Sequence, residues 1–170
     1  HDSFDPTVPM ITGFQAQATA IFPFFSGANG LWLWENNFYE TGRQENYRTY
    51  ENFIYGLYRL SEFKDMFEGK YDLVIPTSAR DLMTSKKPVW RGVVKDGHIL
   101  IAAQNPYAAD NAETSITLAH QKWVKTIKLK GKDVFLCKFD LSQDNSSTEP
   151  TITEAFLFPN PLVGESQVRL

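Results

Sequence analysis

Apolar and polar positions alternate along this chain with two different periods, and the change falls near residue 70. Before it, Met10, Phe14, Ala18, Ile21, Phe22 and Phe25 recur at helical spacing behind Pro9, and the run stops at Ser26-Gly27. This predicts a buried helix over 10–25. Leu31 to Trp34 form a short apolar stretch bounded by Asn29-Gly30 on one side and Asn36-Asn37 on the other, the pattern of a parallel strand covered on both faces. A second helix is predicted over 48–67, with Tyr50, Phe53, Ile54, Leu57, Leu60 and Phe67 on one side and Gly69 as its stop signal.

Beyond residue 70 the period shortens to two. The runs 71–75, 89–94, 98–103, 114–120, 123–129 and 133–139 are β-rich and separated by turn residues, which predicts a β-sandwich. Asp96-Gly97 between two of them is a two-residue hairpin signal, and Lys130-Gly131-Lys132 marks another tight connection. From Ser142 the composition turns to that of a linker, through Gln143-Asp144-Asn145-Ser146-Ser147-Thr148-Glu149-Pro150. A last segment follows in which Pro159 and Pro161 flank Asn160, and Gln167 to Leu170 have the look of a first strand. The expected organisation is therefore 1–69, 70–141, a linker over 142–154 and a further segment over 155–170.

Composition changes this picture only at the margins. The chain has 170 residues, 42% apolar and 14% aromatic, ample for a packed core. A net charge of −3 with only scattered lysines between Lys122 and Lys132 argues against nucleic acid or an anionic membrane as partner. The longest apolar run, Ile99 to Ala103, is far short of the ~20 residues that cross a bilayer. The single Cys137 shares a strand face with Phe135 and Phe139 and reads as a small core residue. The start at His1, with neither methionine nor signal-peptide pattern, suggests that something preceded it.

Candidate chemistry gathers around the 31–37 stretch. Trp32 and Trp34 offer flat apolar faces of the kind that stack on a pyranose ring, while Glu35, Asn36 and Asn37 can exchange hydrogen bonds with its hydroxyls. The competing reading is a buried strand whose tryptophans are core. Glu35 has three open roles: catalytic carboxylate, sugar hydrogen-bond partner, or structural group. Trp90, Tyr107 and Trp123 offer a second aromatic face or, where they lie on different strands, core. His1, His98 and His120 are widely spaced, with no metal-ligand pattern around them, and no nucleophile-elbow, phosphate-loop or dinucleotide motif occurs, so neither metal nor cofactor is expected. Asn145-Ser146-Ser147 matches the N-glycosylation pattern on linker sequence.

The order helix, Gly30-Leu31-Trp32-Leu33-Trp34-Glu35 strand, long loop, amphipathic helix and small β-domain resembles the last quarter of a (β/α)8-barrel glycoside hydrolase with its C-terminal β-sandwich. The resemblance implies an α+β fragment: the seventh helix, eighth strand and eighth helix of the barrel, followed by an antiparallel β-sandwich. Such barrels place their sites at the C-terminal ends of strands, where Trp34, Glu35, Asn36 and Asn37 would fall. Trp34 matches the tryptophan that often floors the reacting sugar's subsite in that family, and Trp32 is the weaker candidate. Catalytic carboxylates in the resembled barrels follow strands four and seven, which would lie before His1, so the catalytic residues are unknown and Asp5-Pro6 reads as the start of a helix. Phe158-Pro159-Asn160-Pro161 after the linker resembles the start of a type IX secretion sorting domain. Together these imply a secreted or cell-surface protein whose partners are carbohydrate and the N-terminal remainder of the barrel. A non-catalytic carbohydrate-binding module, or a structural accessory module, is the alternative.

Overall fold

The computed structural model describes residues 11–32 and 44–142. Helix α1 is Gly13–Ile21, opened by a capping box in which the Gln15 amide donates to Thr12 Oγ1 at 3.3 Å and the Thr12 amide to Gln15 Oε1 at 2.8 Å. The predicted helix over 10–25 is shorter than expected: Pro23 follows the Phe22 cap, and the chain tightens into a 3₁₀ turn, Phe24–Ser26, before Gly27. Met10 lies outside the described residues. Helix α2 is Gln44–Ser61, and the predicted continuation to Phe67 is instead a second 3₁₀ turn, Lys64–Phe67.

The six predicted strands are present as β1 (Asp72–Val74), β2 (Val89–Lys95), β3 (His98–Gln104), β4 (Glu113–His120), β5 (Trp123–Lys130) and β6 (Phe135–Asp140). They form two antiparallel sheets: a four-stranded one in the order β1-β2-β3-β6, and the β4–β5 hairpin. Asp96 and Gly97, at φ 49° and 75°, make the expected two-residue turn with Lys95 opposite His98; both central residues in the left-handed region match the twist of the flanking strands. A second tight hairpin joins β4 to β5 through Gln121 and Lys122, where Gln121 takes φ 53° without a glycine to advertise it. A short helix α3, Ala79–Ser85, occupies the β1–β2 connection. Its start is marked by Ser78 Oγ, which accepts from the Asp81 amide at 3.1 Å and donates to Asp81 Oδ2 at 2.7 Å.

Strand β3 is the axis of the molecule, and the side-chain period of two sends its residues into two different cores. Leu100 and Ala102 join Ile21, Phe25, Leu60, Met66, Val93 and Val134 beneath the helices. Ile99, Ile101 and Ala103 join Leu118, Trp123, Ile127 and Leu129 beneath the hairpin. The result is three layers, helices on a four-stranded sheet on a hairpin. The run Ile99 to Ala103 is apolar without interruption because both of its faces are covered. The architecture is mixed α and β with two packed antiparallel sheets.

Aromatic rings tie the helical layer to the sheet. Phe67 meets Phe24, Phe25 and Tyr71 edge-on, with centroids 6.0, 5.5 and 5.9 Å away, each contact worth about 0.5–1.5 kcal/mol beyond burial. Lys95 on β2 fastens the second 3₁₀ turn, its Nζ donating to the carbonyl oxygens of Asp65 and Glu68 at 2.5 and 2.6 Å.

The seam between α1 and α2 is closer and more polar than the sequence pattern suggests. A Cβ at Gly56 would lie 2.9 Å from Ala20 Cβ and 3.0 Å from the Gln17 backbone, so only glycine lets the helices approach this far. Gln17 Nε2 donates to Asn52 Oδ1 at 3.0 Å, Asn52 Nδ2 to the Arg48 carbonyl at 2.9 Å, and Arg59 Nη1 to Gln17 Oε1 at 3.0 Å. Arg59 Nη2 then reaches the Val134 carbonyl at 2.6 Å, which carries the chain of bonds into the sheet layer. The buried line of α2 is thus Asn52, Gly56 and Leu60, and Ile54, expected on the packed side, is exposed.

Candidate functional site

Of the five residues expected to bind substrate, the structure describes one. Trp32 lies in irregular backbone after the first 3₁₀ turn, and its side chain is 85% exposed. Its neighbour Leu31 is also exposed. The expectation of a strand covered on both faces over 31–34 therefore fails at Leu31 and Trp32, which are in irregular backbone and exposed. Trp34, Glu35, Asn36 and Asn37 lie outside the described residues, as do His1 and Asp5.

The segment reaches Trp32 along a defined path. The Ser26 amide and the Ala28 amide both donate to the Pro23 carbonyl, at 2.9 and 3.0 Å, and Ser26 Oγ donates to the Phe22 carbonyl at 3.1 Å. These bonds turn the chain around the buried Phe25 ring and send Leu31 and Trp32 out into solvent. An exposed indole forgoes part of an apolar burial worth a few kcal/mol.

The second aromatic set divides. Trp123 is core, 5% exposed and tilted against Phe139 with centroids 5.6 Å apart. Trp90 packs partly buried against the same cluster. Tyr107 alone is exposed, in a loop shaped by Asn105, whose Oδ1 accepts from the Tyr107 amide at 3.2 Å and whose Nδ2 donates to Thr114 Oγ1 at 3.1 Å. A continuous aromatic face over Trp90, Tyr107 and Trp123 is ruled out by the burial of Trp123.

Among the described residues, titratable groups do not converge. Among the described residues no three of His, Cys, Asp and Glu are grouped so as to hold a metal ion. His98 sits at the Asp96-Gly97 turn with Nδ1 2.9 Å from the Asp96 carbonyl oxygen, opposite Asp140 on β6. Asp140 is held below its ordinary range by the Ser142 hydroxyl and amide, at 2.6 and 2.7 Å, with the nearby His98 adding to the effect. Cys137 lies opposite Ile101 on the hairpin-facing side, where burial pushes its thiol up and away from reactivity. Burial also lowers Arg59, whose charge is shared among the neutral acceptors named above.

Comparison of the chain with protein-family models, with curated proteins and with solved structures finds no match. No helix among the described residues is long and apolar enough to cross a membrane.

Proposed function

We propose that this chain is the C-terminal portion of an exported glycoside hydrolase acting on polysaccharide or oligosaccharide, contributing aromatic subsite residues while the catalytic carboxylates lie upstream. The observation that carries the proposal is the 85% exposure of Trp32 at the head of a stretch containing a second tryptophan, a carboxylate and two amides. In this reading α1 and α2 are the last two helices of a (β/α)8 barrel and Trp32 and Trp34 belong to the wall of a sugar subsite. The reaction is acid/base-assisted cleavage of a glycosidic bond through an oxocarbenium-like transition state, carried by two carboxylates of the preceding barrel segment. The N-terminal remainder of the barrel is then an obligate partner, and the segment after the linker begins a sorting domain for export.

A second reading is favoured by the common core of the helices and the four-stranded sheet. Ile21, Phe25 and Leu60 from the helical layer pack directly with Val93, Leu100 and Ala102, as in a unit that folds by itself. That arrangement suits a non-catalytic carbohydrate-binding or structural accessory module.

Native and denaturing mass on one purified sample separates the two. A larger polypeptide accompanying this chain in the native state supports the split barrel, whereas a cooperatively folding monomer of the chain alone supports the module. Retention on a polysaccharide column tests the sugar contact in either case. Trp32→Ala and Trp34→Ala are expected to reduce retention. Equal retention of wild type and both variants would remove the carbohydrate reading.

A further inference from the structure

Strand β2 carries a cation into the layer between the helices and the sheet. Arg91 pairs across the sheet with Ala102 and lies on the same side of β2 as Val93, both of them members of the helix-facing core. The residue is 8% exposed, and its Nη1 is buried with no hydrogen-bond partner. Burial pushes the group down from its ordinary pKa, yet a guanidinium stays charged at any ordinary pH. None of the ion pairs among the described residues includes it.

Arg59 in the same layer shows what a satisfied guanidinium looks like there, with bonds to Gln17 Oε1 and the Val134 carbonyl. A guanidinium nitrogen buried without such a partner is penalised for its lost hydration, and the group that best removes that penalty is an anion. The flat fork of the guanidinium matches a carboxylate, which can accept two parallel N–H bonds from it.

We propose that Arg91 receives a carboxylate at the seam between the helices and the four-stranded sheet, brought either by a bound small acid or by an acidic side chain of the protein. The proposal is independent of the carbohydrate reading.

The test is thermal unfolding of the full chain, wild type and Arg91→Met, with acetate or glucuronate replacing chloride at constant ionic strength. A bound acid raises the wild-type midpoint by about 3–6 °C at a tenfold excess over its Kd and leaves Arg91→Met unmoved. A side-chain carboxylate makes added acids ineffective but leaves a signature in pH. Such a group has a depressed pKa in the folded state, so its stabilisation is present above the unfolded value and lost as pH falls through the folded one. The acid limb of the wild type is then steeper than that of Arg91→Met. Superimposable acid limbs together with no response to either acid would overturn the proposal. Should Arg91→Met fail to fold, the Arg91 Nε–Hε resonance of the wild type decides: movement with added carboxylate or through the carboxylate pH range supports the site, and a stationary signal refutes it.

Discussion

On one side the four-stranded sheet meets a layer laced with polar groups, Gln17, Asn52, Arg59 and Arg91, while on the other the β4–β5 hairpin meets it through Ile99, Ile101, Leu118, Trp123, Ile127 and Leu129. The two seams share apolar packing and differ in what is added to it. Apolar packing is non-directional and rewards volume, so the hairpin side is set by how well side chains fill space. The helical side has an apolar core of its own, with Ile21, Phe25, Leu60 and Met66 against Val93, Leu100 and Ala102, and adds directional hydrogen bonds, each unmade one penalised, so it is set also by which donor finds which acceptor. The polar layer therefore aligns α1 against α2, and through Arg59 aligns both with the sheet. It is also the side from which the chain leads out to Trp32.

The largest expected effect breaks the aromatic tie between the layers. Phe25→Ala removes a fully buried ring that meets Phe67 at 5.5 Å, and a loss of about 3–5 kcal/mol is expected in denaturant unfolding. A loss below about 1 kcal/mol would mean that the helices are not fixed to the sheet through this ring. Next comes the hairpin side, where Ile101→Ala is expected to cost about 2–5 kcal/mol and Ile101→Val only about 0.5–1.5, the graded response of a dry seam.

Asn52→Ala probes the polar seam. It leaves Gln17 Nε2 without its acceptor, for an expected loss of about 1–3 kcal/mol. The contrast with Ile101 lies in rescue: a larger apolar residue at position 52 should not restore stability, because a Cβ at Gly13 would already lie 2.9 Å from Asn52 Cγ and there is no room to fill. Recovery in Asn52→Leu would show that the two seams obey the same rule.

The smallest effect is at the sheet's open end. Asp140 is stabilised as the anion chiefly by the Ser142 hydroxyl, so its contribution to stability holds above the ordinary carboxyl value of 3.8 and fades as pH falls through the lower folded value. Ser142→Ala should lower stability slightly near neutrality and leave it unchanged at pH below the folded value, so that the acid limb of a pH–stability profile flattens. A change at neutral pH of the size seen in Asn52→Ala would contradict the view that this end is solvated.

The strands were legible along the chain because alternation is a local property, and all six runs appear in register with turns at Asp96-Gly97 and Lys130-Gly131-Lys132. Helix α3 escaped notice because its seven residues carry no apolar stripe; the Ser78 and Asp81 start signal was its only mark. The stop of α1 was visible in Pro23, yet the apolar residues beyond it suggested a longer helix. The polar seam was hidden for a different reason. Gln17, Asn52 and Arg59 look like surface residues in a helical pattern, and the approach of two backbones at Gly56 leaves the first two buried and Arg59 half-buried.

Two apolar runs show most plainly where the local code stops. Ile99 to Ala103 and Leu31 to Trp34 are both short, uninterrupted apolar runs, and the second reads as a strand covered on two faces. The first is that strand, and the second is exposed at Leu31 and Trp32. What the sequence determined by itself was element type, wherever a period of two or of 3.6 could be read from neighbours along the chain, while the ends of both helices fell elsewhere than the period suggested. Tertiary structure alone decided which apolar runs found a cover, because burial depends on what packs above and below a segment, and those partners are distant in sequence.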